Sequence, residues 1–272
     1  MRNGEAASGR ADRSLGSVAN ALRLIEVLAR SPHVGVSELA RALDLSKASI
    51  DRLLTTLTRA GFAEQDPHTR RYRLTVKIVA LADGVRSRIG VVEVARPHLA
   101  ALADQVREGV NLGILREDAL VYLETIPSTH TFKIEARPGV TLPAYCTGAG
   151  KALLAFSRPP AIEAYLARLA PVAHTPNTLT STALLRDELT AIQREGFAED
   201  RGELLEEAWC VAAPVLDADG FAVAAVSITA PRSRYAAKRA ELASAVTATT
   251  RHISAGIAAA GVTPAPPRPG HG

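Results

Sequence analysis

Apolar residues first recur with helical spacing from Ser17, where Val18, Leu22, Ile25 and Leu28, with Ala21 and Ala29, form an i, i+3, i+4, i+7 stripe. The stripe predicts a helix ending near Ser31-Pro32. A second, short helix is predicted over Val36–Leu43, with Leu39, Ala40 and Leu43 facing inward, and Asp44-Leu45 turns the chain. A third follows, with Ser46 as its N-cap, Ile50, Leu53, Leu54 and Leu57 as its apolar face, and Gly61 as its stop.

The spacing then changes. Phe62–Gln65, the polar turn Asp66-Pro67-His68-Thr69 and Arg70–Leu74 read as strand, turn and strand, a hairpin with arginines on its tip and return strand. Three helices and a basic hairpin are the parts of a winged helix-turn-helix. Helical patterns resume over 76–88 and 91–106, with Arg96-Pro97 placed near the first turn of the latter. Beyond them, strands are predicted at 111–116, 119–126, 131–135, 210–216 and 222–229, with helices from Gly148, at 161–169, at 181–195 and at 235–260. Strands that run together and return after helices predict an α+β domain with an antiparallel sheet.

The ends add no periodicity. Residues 1–16 are rich in Gly, Ser, Arg and Asp, and 263–272 read TPAPPRPGHG, so both are expected to be disordered tails. No apolar signal-peptide core stands at the N-terminus and no apolar run is long enough for a membrane span, so a cytoplasmic protein is expected. Two cysteines, Cys146 and Cys210, are too few for a zinc centre or a disulfide scaffold, and no metal or cofactor is expected. Charge is uneven: residues 1–90 hold 15 Lys and Arg against 9 Asp and Glu, while 91–272 hold 17 against 19. The basic third suits a polyanion.

A reading helix needs one apolar side to seat it and short polar or cationic side chains on the other, to enter a major groove about 12 Å wide. The third predicted helix has both. Opposite its apolar face lie Lys47, Ala48, Ser49, Asp51, Arg52, Thr55, Thr56 and Arg59, with Ser46 at the start. Arg70, Arg71 and Arg73 of the hairpin are expected to reach flanking phosphates or the minor groove. Taken singly each is an ordinary solvated side chain; their order is what points to double-stranded DNA.

The stretch SVANALRLIEVLARSPHVGVSELARALDLSKASIDRLLTTLTRAGFAEQDPHTRRYRLTVKIVALA resembles the N-terminal domain and linker helix of the IclR family of transcriptional regulators, and the likeness runs from about Ser17 to Gly261. It implies a winged helix-turn-helix at 17–75, a linker helix at 76–90 and a GAF-like effector-binding domain at 91–262, assembled as a homodimer or homotetramer. The segment LPAYCTGAGKAL (142–153) is also similar to the family's effector-pocket signature. It is not a phosphate-binding Walker loop, since Tyr145 and Ala152 stand where that motif needs Gly and Ser or Thr. The resemblance places Gly148, Ala149, Asp200, Cys210, Ser227 and Thr229 around a small carboxylate effector, with Thr131, Phe132 and Ile134 as an apolar wall. Read as an ionised carboxylate, Asp200 would repel such a ligand and favours a keto or hydroxy acid. The chain departs from the family at Glu207 and Trp209, where an acid and an indole are expected beside the pocket. The alternative reading is a thiol hydrolase or redox sensor using Cys210, for which His130 and His174 carry no supporting motif.

Overall fold

In a computed structural model, which describes residues 16–31, 33–86 and 90–260, the helical spacing of the first sixty residues becomes α1 (Gly16–Arg30), α2 (Val36–Leu43) and α3 (Lys47–Arg59). The face of α1 differs from the predicted stripe: Leu24 and Leu28 enter the core, whereas Val18 and Leu22 are more than half exposed. Helical spacing shows that a stripe exists, but packing on α2 and α3 selects which edge of it is covered. The other helices bury Leu39, Leu43, Ile50, Leu54 and Leu57 around the same core. Truncating fully buried Leu54 to Ala there would cost about 2–5 kcal/mol.

Local chemistry sets the ends. The Ser46 hydroxyl accepts the Ser49 N–H at 3.2 Å, and Gly61 takes a left-handed φ of 75° just after α3. The hairpin pairs β1 (Ala63–Gln65) with β2 (Tyr72–Leu74) in antiparallel register. Its turn is drawn in by Asp66, whose Oδ1 accepts the N–H groups of His68 and Thr69 at 2.9 and 2.8 Å. Then α4 (Lys77–Arg86) begins with Lys77, whose ammonium donates to the Ala60 carbonyl at 2.7 Å and lies 4.7 Å from the Phe62 ring centre. The chain divides into two compact units at 85/86. The predicted tails lie outside the described residues, except that Gly16 opens α1.

The second unit runs α5 (Gly90–Val106), β3 (Gly109–Arg116), β4 (Ala119–Ile126), β5 (Thr141–Pro143), a 3-10 turn (Ala144–Cys146), α6 (Gly148–Ala155), α7 (Pro159–Arg168), α8 (Thr182–Glu195), β6 (Ala198–Arg201), β7 (Ala208–Leu216), β8 (Ala222–Pro231) and α9 (Arg232–Ala260). Its sheet is antiparallel with order β5-β4-β3-β8-β7-β6. Period-2 alternation splits it into two faces. Val110, Leu112, Val211, Ala213, Val215, Val226 and Ile228 pack with α5 and α9, while Leu120, Tyr122, Ala198, Ala212 and Ala225 pack with α6, α7 and α8.

Two predicted features are corrected, and β6 is new. Residues 131–135 form no strand; the strand that pairs with the outer edge of β4 is β5, at Ala119–Val121, with Leu120 opposite Leu142. That alternating segment is tied down by Arg234, which donates to the Phe132 carbonyl at 3.0 Å. Pro97 lies well inside α5 rather than in its first turn, so the Glu93 carbonyl lacks the usual i+4 donor. The edge strand β6 is an addition; its sequence, AEDR, carries no apolar alternation to announce it.

Candidate functional site

On the first unit, the side of α3 away from the core exposes Lys47, Ala48, Asp51, Arg52, Thr55, Thr56 and Arg59, with Ser46 exposed at the cap and Ser49 half-buried. Thr56 is occupied locally, its hydroxyl donating to the Arg52 carbonyl at 2.9 Å. The wing arginines separate. Arg70 is exposed in a left-handed conformation, φ 58°. Arg71 donates to the His33 carbonyl at 2.7 Å and pairs with Glu38, whose carboxyl its guanidinium holds below the usual range, and Arg73 pairs with Glu64 at 2.6 Å. Two of the three are therefore engaged in bracing the wing. A cleft of about 520 Å³ between α2 and the wing is lined by Glu38, Asp51, Arg70 and Arg71 among others.

On the α6 face of the second unit, the strand register sets polar residues in rows. Gly109, Thr229, Cys210 and Asp200 are successive cross-strand partners through β3, β8, β7 and β6, and Asn111 and Ser227 are partners in the next row. Asn111 ties the rows together, its amide donating to the hydroxyls of Ser227 and Thr229 at 3.4 and 3.3 Å. Above them begins α6. The Thr147 hydroxyl caps it by accepting the Gly150 N–H at 3.3 Å, while the Gly148 amide is directed at the Cys210 sulfur. A Cβ at Gly148 would lie 2.6 Å from that sulfur, so any larger residue here would force the Cys210 side chain to move. The Ala149 amide, in the first turn, has no intrahelical partner.

Thus Gly148, Ala149, Asp200, Cys210, Ser227 and Thr229 are brought together, and all but half-buried Thr229 are buried. Ile134 joins the margin, its carbonyl near the open side of Gly109, whereas Thr131 and Phe132 are exposed. Trp209 is not beside the site: strand alternation turns it to the α9 face, where it packs 5.7 Å from the Tyr235 ring, and Glu207 is exposed.

Several participants carry no local sequence signal. The Tyr122 hydroxyl faces Ser227, Cys210 and Asp200, its pKa raised by burial and then by the cysteine. Lys151 is wholly buried in α6 and pairs with Glu203 and, at 3.1 Å, with Glu188. The Asp200 carboxylate accepts the Glu203 N–H at 2.6 Å, and burial pushes its pKa up to about 7. A Lys within the apolar run of 149–155 was the one available clue, because a buried ammonium requires a partner. Burial, with Asp200 next, pushes the Cys210 thiol up to about 12, and burial likewise raises Cys146 to about 12. Both are neutral thiols at neutral pH, which disfavours a thiolate nucleophile. His130 lies instead by Glu108, at 3.6 Å, and His174 beside Tyr145.

Residues 17–67 match the family model for the IclR helix-turn-helix domain, and residues 84–255 that for the bacterial transcriptional regulator IclR C-terminal domain. The transcriptional regulator BhcR of Paracoccus denitrificans is 33% identical over 88% of this chain and 86% of its own length. The crystal structure of a transcriptional regulator from Rhodococcus sp. RHA1 superposes with a TM-score of 0.83 at 30% identity, over 91% of this chain and all of that one. An IclR homologue from Microbacterium hydrocarbonoxydans, crystallised with 4-hydroxybenzoate, shares the fold at a TM-score of 0.78 and 23% identity, over 89% of this chain and 99% of that one. These families and relatives regulate transcription rather than catalyse reactions, and the chain belongs to the IclR family of DNA-binding transcriptional regulators.

Proposed function

We propose that this regulator binds a two-fold operator as a homo-oligomer in the cytoplasm, and that a small organic acid in the α6-face site changes its affinity for DNA. The observation that carries the effector reading is the convergence of hydroxyls, a neutral thiol and helix N-terminal amides on one interior face, a donor-rich setting that suits a carboxylate. The ligand chemistry reported for the M. hydrocarbonoxydans homologue, an aromatic hydroxy acid, is compatible with this donor set. Gly148, Ala149, Asp200, Cys210, Ser227 and Thr229 are the proposed contacts, with Ile134 at the margin and exposed Thr131 outside it. DNA is read by Ser46 to Arg59 on α3, and Arg70, with Arg71 and Arg73 behind it, lies against the backbone.

Assembly is supported by the apolar residues that α1 and the start of α4 leave uncovered: Val18, Leu22, Val76, Val79 and Leu81 are each at least half exposed. A second copy would cover them, and a monomer at micromolar concentration in light scattering would rule this out.

The decisive experiment is a thermal-shift panel of carboxylates, including pyruvate and 4-hydroxybenzoate, followed by operator titrations with each binder. A ligand at 100 times its Kd adds about 2.7 kcal/mol to stability. Replacing Ser227 by Ala and Thr229 by Val removes hydrogen bonds worth about 0.5–1.5 kcal/mol each and should move the DNA response to roughly tenfold higher ligand. A double variant that responds like the parent places the ligand elsewhere.

A further inference from the structure

The site's floor holds more carboxyl groups than cations. Asp200 and Glu203 are each 6% exposed, and Glu188 approaches from α8. Lys151 is the one cation in direct contact with this group among the described residues, and it is committed to Glu203 and Glu188 rather than to Asp200. One oxygen of Glu203, Oε2, is buried with no hydrogen-bond partner. Lys151 still attracts the Asp200 charge from a distance, and the other titratable groups that face Asp200 among the described residues add no positive charge: Cys210 from β7, Tyr122 from β4 and Cys146 from the 3-10 turn. The nearest arginine in sequence, Arg201, is bound to Glu199 at 2.6 Å.

An interior with surplus negative charge retains a proton, since two neighbouring buried carboxylates cannot both ionise without a cation for each. An incoming organic anion makes the surplus worse. We infer that the Asp200 carboxyl carries a proton when the site holds an organic anion, donates a hydrogen bond to it, and couples binding to the uptake of one proton. The inference rests on the reading of this face as an anion site, and it replaces the repelling carboxylate expected from sequence with a donor. The raised pKa of Asp200, about 7, agrees with it, since burial outweighs the backbone N–H groups of Glu203 and Gly202 that favour the ionised form. It also defines ligand specificity. An anion gains a donor below neutrality, whereas an uncharged amide of the same shape gains no such pH dependence.

Two measurements on the full chain test this. Infrared spectra of the ligand-free protein should contain a protonated-carboxyl stretch that titrates near neutrality and is missing from Asp200→Asn. Glu203→Gln should keep that band and move its titration to lower pH, because a negative neighbour has gone while Lys151 remains. A wild-type spectrum without the band overturns the inference. Calorimetry with pyruvate and benzoate at about pH 8, where the free carboxyl has lost its proton, in buffers of different ionisation enthalpy, should then show uptake of about one proton and a Kd that rises about tenfold per pH unit above 7.5. In Asp200→Asn that slope should vanish. Binding with no proton uptake overturns the coupling but leaves the anion site standing. If neither acid binds at any pH, the anion-site reading falls, and the inference falls with it.

Discussion

Glu199 and Asp200 are consecutive residues of β6, both shut off from water, and they meet opposite surroundings because a strand turns neighbours to opposite faces. Glu199 points toward α9, where Arg239 binds it through two hydrogen bonds of 2.7 and 2.6 Å, and Tyr235 and Arg201 donate to it as well. Although burial alone would raise its pKa, these donors hold it down at about 2. Asp200 points toward α6, receives backbone donors and faces further carboxyls, and is raised. Equal burial therefore says little about a charged residue's role. What separates a structural clamp from a responsive site is whether the surroundings already complete the charge.

The largest effect should come from breaking the completed side. Glu199→Gln leaves two partly solvated guanidinium groups facing an amide and should lower unfolding free energy by about 2–3 kcal/mol in urea titrations. Its native pKa is depressed, so its contribution is present above about pH 4.5 and lost as pH falls through about 2. A loss below about 1 kcal/mol would erase the contrast between the faces.

Asp200→Asn should do the reverse. Here the native pKa is raised, so the wild type binds an extra proton between about pH 3.8 and 7 and loses stability across that window as pH rises. Asn carries no charge to penalise, and the stability of the variant relative to wild type should improve by about 1–3 kcal/mol from pH 4 to pH 8. Parallel curves would mean that Asp200 ionises as freely as in the unfolded chain.

The DNA-binding unit repeats the contrast between engaged and unengaged charge. Among the described residues, no carboxylate pairs with Arg52, whereas Arg71 and Arg73 are taken by Glu38 and Glu64. Arg52→Ala should weaken operator binding by about 1–3 kcal/mol in a folded protein, and unchanged binding would remove it from the reading face. The smallest change is expected at the wing. Arg70→Ala should flatten the slope of log affinity against log salt by about one, and Arg71→Ala by less, because its charge is already matched by Glu38. Equal slopes for the two variants would show that DNA displaces Glu38.

Much of this was legible in order of sequence distance. Caps and turns at Ser46, Gly61 and Asp66 involve residues within a few positions and were read directly. The cores of α2 and α3 followed from their spacing. Ser227 and Thr229 were identifiable because alternate residues of a strand share a face, and because the family motif marks them. The cluster around them was not. Asn111 meets Ser227 across 116 positions and Lys151 meets Glu203 across 52, and no local pattern encodes such pairings. Trp209 was misplaced for a related reason: proximity in sequence to Cys210 means opposite faces, not adjacency. Residues 131–135 alternate as a strand should, but a strand also needs a ladder partner, and pairing is a property of the whole sheet.

The length and position of α9 bear on how the protein is made. It contributes Tyr235, Leu242, Val246, Ile253 and Ile257 to the core on one face of the sheet, and it follows every described strand. The central β3–β8 pairing likewise joins Gly109 to Thr229. During synthesis the winged unit has all of its pieces once the chain passes Leu74, but the sheet has neither its middle partner nor its cover until the last described helix leaves the ribosome. A ribosome stalled near residue 200 should thus display a folded DNA-binding head on a nascent domain whose apolar strands are still exposed to chaperones.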